Sequence, residues 1–97
     1  MNTDELRTHL NRETARIGWH ELQRFFATGN MIEVCATLDL VDVAVAIAVD
    51  NEEAVSNWMA TEKIAPVNDS QAALWHQQQM TLWAVVVKPW ILVQNKA

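Results

Sequence analysis

Cysteine is nearly absent. Cys35 is the only one in 97 residues, so no internal disulfide can form and no multi-cysteine metal site can be assembled. Glycine and proline number two each, which excludes collagen-like, linker-like and low-complexity chains. Tyrosine is missing altogether. No apolar run approaches the ~20 residues of a membrane-spanning helix. The richest stretch, Leu82 to Val93, is broken by Lys88 and Pro89. There is no His-Glu-x-x-His pair, no calcium-loop pattern and no glycine-rich phosphate loop, so no metal or cofactor is expected. The polar, acidic start, Met1 to Glu5, is unlike a secretory or mitochondrial leader. A soluble cytoplasmic protein is the expectation.

What is present is a chain able to bury a core. Hydrophobic residues make up 51% and charged residues 20%, which excludes a disordered tail, and the length suits one domain over residues 1–97. Five of the seven aromatic residues are tryptophan. The net charge of −5 is unevenly placed. Residues 1–30 are neutral, residues 31–69 hold eight acids against Lys63 alone, and residues 70–97 hold Lys88 and Lys96 without an acid. Polyanion binding draws on clustered Lys and Arg that displace counterions from phosphate. The middle of this chain has the opposite character.

Local signals predict an α+β domain. Thr3 is a candidate N-cap with Asp4 and Glu5 in the first turn, and Leu6, Leu10 and Ile17 follow one helical face. Glu13 and Arg16 are spaced for a surface ion pair. Gly18 bends or interrupts this helix, and Trp19, Leu22, Phe25 and Phe26 form a second stripe ended by Gly29-Asn30. These two segments read as an N-terminal helical pair. Met31 to Ala36 reads as a strand.

Asp39 then fits an N-cap, with Asp42 at the fourth position and Leu38 able to staple onto Val43. The pattern repeats at Asp50, Glu53, Val49 and Ala54, which predicts helices over 40–48 and 51–62 joined by a tight turn. The first is ambiguous: Val41, Val43, Val45, Ile47 and Val49 also alternate as in a half-buried strand. In the second, Val55, Trp58 and Met59 form a helical stripe.

Ile64 to Val67 fits a short edge strand, where Pro66 is tolerated. Asn68-Asp69-Ser70 is a turn and cap before a short helix through Ala72, Leu74, Trp75 and His76. Leu82 to Val87 is a continuous apolar β-run that needs cover on both faces. Pro89 then kinks the strand or ends its pairing, and Trp90 to Val93 resumes it. A small antiparallel sheet covered by the middle helices is expected.

Several phrases together resemble a known family. They are Glu13-Thr-Ala-Arg16 with Trp19, Leu38-Asp-Leu40, Trp58 in its acid-capped helix, and Trp83 through Pro89-Trp90-Ile-Leu-Val-Gln94. They are similar to the short bacterial proteins of domain of unknown function 2288. The likeness covers most of the chain and implies one compact bacterial domain. It brings no activity, ligand or catalytic residue.

The middle helices, running into Lys63-Ile64, also resemble a helix-turn-helix followed by a wing strand. A recognition helix offers polar and basic groups to bases and phosphates. Here residues 51–63 carry three acids and one base, with Glu52 and Glu53 at the end that would meet phosphate. Nucleic-acid binding is therefore disfavoured. His9, His20 and His76 lack metal-ligand spacing, and helix capping accounts for two of Asp50, Glu52 and Glu53. Ser56 and Ser70 lack a nucleophile-elbow context. Cys35 reads as a small buried hydrophobe with no neighbouring positive charge.

Trp19, Trp58 and Trp75 lie on apolar stripes and are expected in the core. Trp83 and Trp90 flank the valine run; seven residues apart, they face opposite sides of a regular strand unless Pro89 shifts the register. They are the candidate interface residues, one of them a partly exposed anchor. The function expected is a non-enzymatic interaction domain that docks a protein partner or self-associates. The alternatives are a winged-helix-like nucleic-acid binder and a small-ligand binder with a Trp-lined pocket.

Overall fold

Asn2, not Thr3, opens the first helix. Its side-chain oxygen accepts from the backbone N–H of Glu5, and Thr3 becomes the first residue of α1 (Thr3–Glu13). Asn caps as well as Thr, and the cap one residue earlier keeps Asp4 and Glu5 in the first turn. The computed structural model describes residues 2–96.

The helical pair expected at the N-terminus is not formed. Thr14 leaves the helix, its hydroxyl donating to the Leu10 carbonyl at 2.8 Å. Residues Ala15–Gly18 become strand β1, and α2 (Trp19–Ala27) follows directly. Ile17 therefore pairs with Leu82 in a sheet instead of extending the Leu6–Leu10 stripe, and Glu13 and Arg16 make no ion pair. β1 runs along the edge of the sheet and delivers the two helices to opposite faces. α1 packs on α3 (Leu40–Ala48), and α2 packs on α5 (Asp69–Gln78). Gly29, at φ +81°, closes α2 as its stop signal predicts, its N–H reaching the Phe26 carbonyl.

Five strands form one sheet in the order β1-β4-β5-β2-β3. They are β1, β2 (Met31–Val34), β3 (Ile64–Pro66), β4 (Thr81–Val87) and β5 (Trp90–Gln94). All neighbours are antiparallel except β2 and β5. β2 stops two residues before the predicted strand end. β3 is an edge strand, as Pro66 requires.

Of the two outcomes open at Pro89, the strand ends before it and does not continue through a kink. The chain reverses over Lys88-Pro89, whose peptide is cis, so that Val87 pairs with Trp90 and Trp83 with Gln94. Cover on both faces, expected for the valine run, is supplied in large part by the chain's own helices, with Val86 left exposed. Leu10, Val43, Ala44, Val34, Val85 and Leu92 belong to the core beneath α1, α3 and α4 (Glu52–Ala60). Trp19, Leu22, Trp75, Leu82, Ala84 and Val93 belong to the core beneath α2 and α5. Each fully buried valine or leucine among them contributes about 1.5–3 kcal/mol.

The ambiguous segment 41–49 is helical. Asp39 accepts from the N–H groups of Val41 and Asp42, as its cap pattern predicts. Its alternating valines are explained by its position. α3 lies against the sheet, α1 and α4 together, so Val41, Val43, Ala44, Val45 and Ala46 are all buried and no polar face is required.

The second cap is shifted. Asn51, not Asp50, accepts from the Ala54 N–H, and Asp50 instead takes a left-handed conformation at φ 58° between the two helices. α4 ends at Ala60, and α5 is capped by Asn68 and runs past His76 to Gln78.

Candidate functional site

Trp90 and Trp83 end up on the same face. Residues paired across an antiparallel hairpin share a side of the sheet, so Trp83, Val85 and Val87 stand with Gln94, Leu92 and Trp90 on the face covered by α3. The turn at Lys88-Pro89 replaces the expected strand continuation, which is why a separation of seven does not put them on opposite sides. They occupy opposite ends of the hairpin and do not share a site.

Trp90, 37% exposed, forms part of a groove of about 390 Å³ between α4 and β3. Val55 and Met59 line it from α4, Ile47 from α3, and Ile32 and Pro66 from the sheet. Met59 is 49% exposed, so the helical stripe predicted from Val55, Trp58 and Met59 is only half used by the core. Trp58 packs on the α3-side core while Met59 turns outward to the groove. Pro66 lacks an N–H, which leaves Ile64 as the main-chain donor on the outer side of β3.

The polar groups of the groove are Asp50, Asn51, Glu52 and Ser56. The Asn51 side-chain oxygen is occupied by its cap bond. Asp50 and Glu52 are exposed, and neither forms an ion pair among the described residues.

Trp83 sits in a shallow depression with Thr14, Leu40, Gln94 and Lys96. The Arg16 guanidinium lies 5.9 Å from its ring centroid, which covers part of one side. Of the remaining tryptophans, Trp19 and Trp75 are buried as expected with ring centroids 5.7 Å apart, and Trp58 is half-buried.

Cys35 differs from the expectation. It lies just past β2, is partly exposed, and its Sγ is 3.2 Å from the Thr37 hydroxyl. Hydrogen bonds from Thr37, with a smaller contribution from the Lys63 charge, hold the thiol below its ordinary range. Lys63 is the positive charge that sequence distance concealed; its carbonyl accepts from the Cys35 N–H at 2.8 Å. Glu33, half-buried in β2, is pushed up by desolvation.

Among the described residues no group of three or more His, Cys, Asp or Glu is placed to hold a metal, and no helix is long and apolar enough to cross a membrane. His9, His20 and His76 are exposed and scattered. α3 and α4 are consecutive, as in a helix-turn-helix, but the first turn of α4 presents Glu52 and Glu53 and its body carries no base. β3 pairs only with β2 and forms no wing hairpin.

Sequence reasoning reached Trp90 but missed Met59 and Pro66 as its neighbours. An apolar stripe gives no sign of how much of its width a core will use, and the way β3 folds back beside α4 is set by its pairing with β2.

No curated protein matches the chain. The solution structure of PA1075 from Pseudomonas aeruginosa is 44% identical and superposes with a TM-score of 0.84, covering 96% of this chain and 86% of that one. A family described as protein of unknown function, DUF2288, matches residues 5–95. With nearly the whole chain inside that match and its fold shared with a solved structure, the protein belongs to the DUF2288 family.

Proposed function

We propose that this is a non-enzymatic protein-docking domain of the bacterial cytoplasm, and that the groove around Trp90 is its contact surface. The observation that carries this reading is one combination in one place. A half-exposed tryptophan and a half-exposed methionine flank an apolar groove beside a blunt sheet edge. Aromatic and methionine side chains in such grooves anchor partner segments. Self-association is the less favoured half of this reading, because the chain's own helices cover most of the apolar hairpin β4–β5, with Val86 left exposed.

Affinity capture from the native cytoplasm, with wild-type and Trp90→Ala bait compared, tests the proposal. Proteins retained by the wild type and lost with Trp90→Ala are expected. Identical recovery on both baits defeats the groove as the contact surface. Light scattering after size exclusion is expected to give a monomer at high micromolar concentration.

A second reading has one observation in its favour: 390 Å³ also falls in the size range of small-ligand pockets. Quenching of tryptophan fluorescence by a metabolite, abolished in Trp90→Ala, would favour it over a protein partner.

A further inference from the structure

The geometry points to a specific chemistry for the occupant: the groove around Trp90 takes a partner segment whose apolar anchors are flanked by lysine or arginine. This rests on the docking reading above and adds to it the charge of the partner.

The apolar part of the groove is supplied by Val55, Met59, Ile32, Pro66 and Trp90. It accepts aliphatic or aromatic side chains without regard to what flanks them. The flanks meet a different surface. Asp50 and Glu52 stand on the groove wall at the turn between α3 and α4. Glu53 follows in the first turn of α4, and Glu62 lies just beyond its end. All four are exposed, and among the described residues none forms an ion pair.

The acids at the other end of α3 are different. Asp39 and Asp42 are both within reach of the Arg7 guanidinium, so the chain offsets part of its own charge there. Among the described residues no Lys, Arg or His comes within ion-pair distance of Asp50, Glu52, Glu53 or Glu62, so the acids around the groove have no close counter-charge. An apolar groove bordered by uncompensated carboxylates attracts a basic amphipathic segment and repels an acidic one. The pairs stay solvent-exposed, so each changes affinity by about two- to fivefold, and the effect weakens as salt rises.

The test uses the full chain and a synthetic array of twelve-residue peptides. Each peptide carries two leucine, phenylalanine or tryptophan anchors at helical or strand spacing, flanked by lysine, serine or glutamate. Binding is read by fluorescence polarisation and located by shifts of the Met59 methyl and the Trp90 indole N–H. The expected result is that lysine-flanked peptides bind about tenfold tighter than serine-flanked ones of the same anchors. Glutamate-flanked peptides are expected to bind weakest. In the double variant Asp50→Asn, Glu52→Gln the lysine preference should shrink to about twofold or less.

Equal binding of lysine- and serine-flanked peptides to the wild type overturns the inference while leaving the docking reading standing. A lysine preference that persists undiminished in the double variant overturns it as well. Failure of every peptide to shift Met59 or Trp90 defeats both.

Discussion

The side-chain amide of Gln94 donates to the carbonyl of Leu38 at 2.7 Å, joining the last strand to the loop that enters α3. Its second hydrogen reaches the carbonyl of Cys35 at 2.9 Å. One buried glutamine thus satisfies two main-chain acceptors more than fifty residues away and secures the entry to the central helix. Replacing it with leucine keeps the volume and leaves both carbonyls without this donor. Gln94→Leu is expected to lower unfolding stability by about 2 kcal/mol. Gln94→Glu should be worse, because a carboxylate faces the same oxygens. Urea unfolding followed by circular dichroism checks both, and an unchanged midpoint for Gln94→Leu would show that the carbonyls find other partners.

The two candidate interface tryptophans separate cleanly in a binding assay. Trp90→Ala removes one wall of the groove, and capture of the native partner is expected to fall at least about tenfold. Trp83→Ala, at the other end of the hairpin beside Arg16, should leave capture within about twofold of wild type. Far-ultraviolet circular dichroism of both variants should match the parent. If Trp83→Ala alone abolishes capture, the contact surface lies at the wrong end of the hairpin.

Helix ends provide a third measurement. Gly29 at φ +81° has open space where a Cβ would stand, so Gly29→Ala carries a conformational cost only, expected at about 1 kcal/mol. Glu62 holds the corresponding position after α4 at φ 59°, with its N–H on the Met59 carbonyl. Glycine is the favoured residue there, and Glu62→Gly is expected to raise stability by about 0.5–1 kcal/mol. Opposite signs in thermal or urea melts are the predicted signature.

Glu33 makes stability depend on pH in a defined direction. Desolvation in β2 raises its pKa, so the folded protein binds this proton more tightly than the unfolded chain does. Its charge therefore opposes folding at neutral pH, and that penalty is relieved as pH falls through the raised folded value toward the ordinary carboxylate range. Glu33→Gln should be the more stable protein at pH 7, with an advantage that shrinks on acidification. Urea midpoints of the two proteins across that interval check the sign. A difference independent of pH would assign the effect to packing.

The legible parts of the fold were those written in short-range chemistry. Asp39 caps α3 through N–H groups two and three residues away, Gly29 closes α2, and Pro66 sends β3 to an edge. The errors were mostly small displacements of the same devices. Asn2 took the cap assigned to Thr3, and Asn51 the cap assigned to Asp50. In each case a neighbouring side chain of equal capping power was available one residue away.

The larger misreadings came from long-range pairing. Ala15–Gly18 has little strand character of its own and becomes β1 because the edge of β4 lies beside it. Trp83 and Trp90 share a face because Lys88-Pro89 reverses the chain. Cys35 acquires a positive neighbour in Lys63 only because β3 pairs with β2.

Composition and charge by themselves determined that the chain buries an apolar core, holds no disulfide, and carries eight of its twelve acids between residues 31 and 69 against one base. Those properties depend on residue identity alone, or on neighbours within one helical turn. Which acids would be paired was decided by the tertiary structure. Arg7 reaches Asp39 and Asp42 across the α1–α3 contact, and among the described residues nothing comparable reaches Asp50 or Glu52. It also decided that Trp90 would border the apolar groove beside α4 and Trp83 a shallower depression at the other end of the hairpin. Both outcomes follow from how the hairpin, β3 and α4 pack together, and packing brings into contact residues whose separation along the chain carries no trace of the meeting.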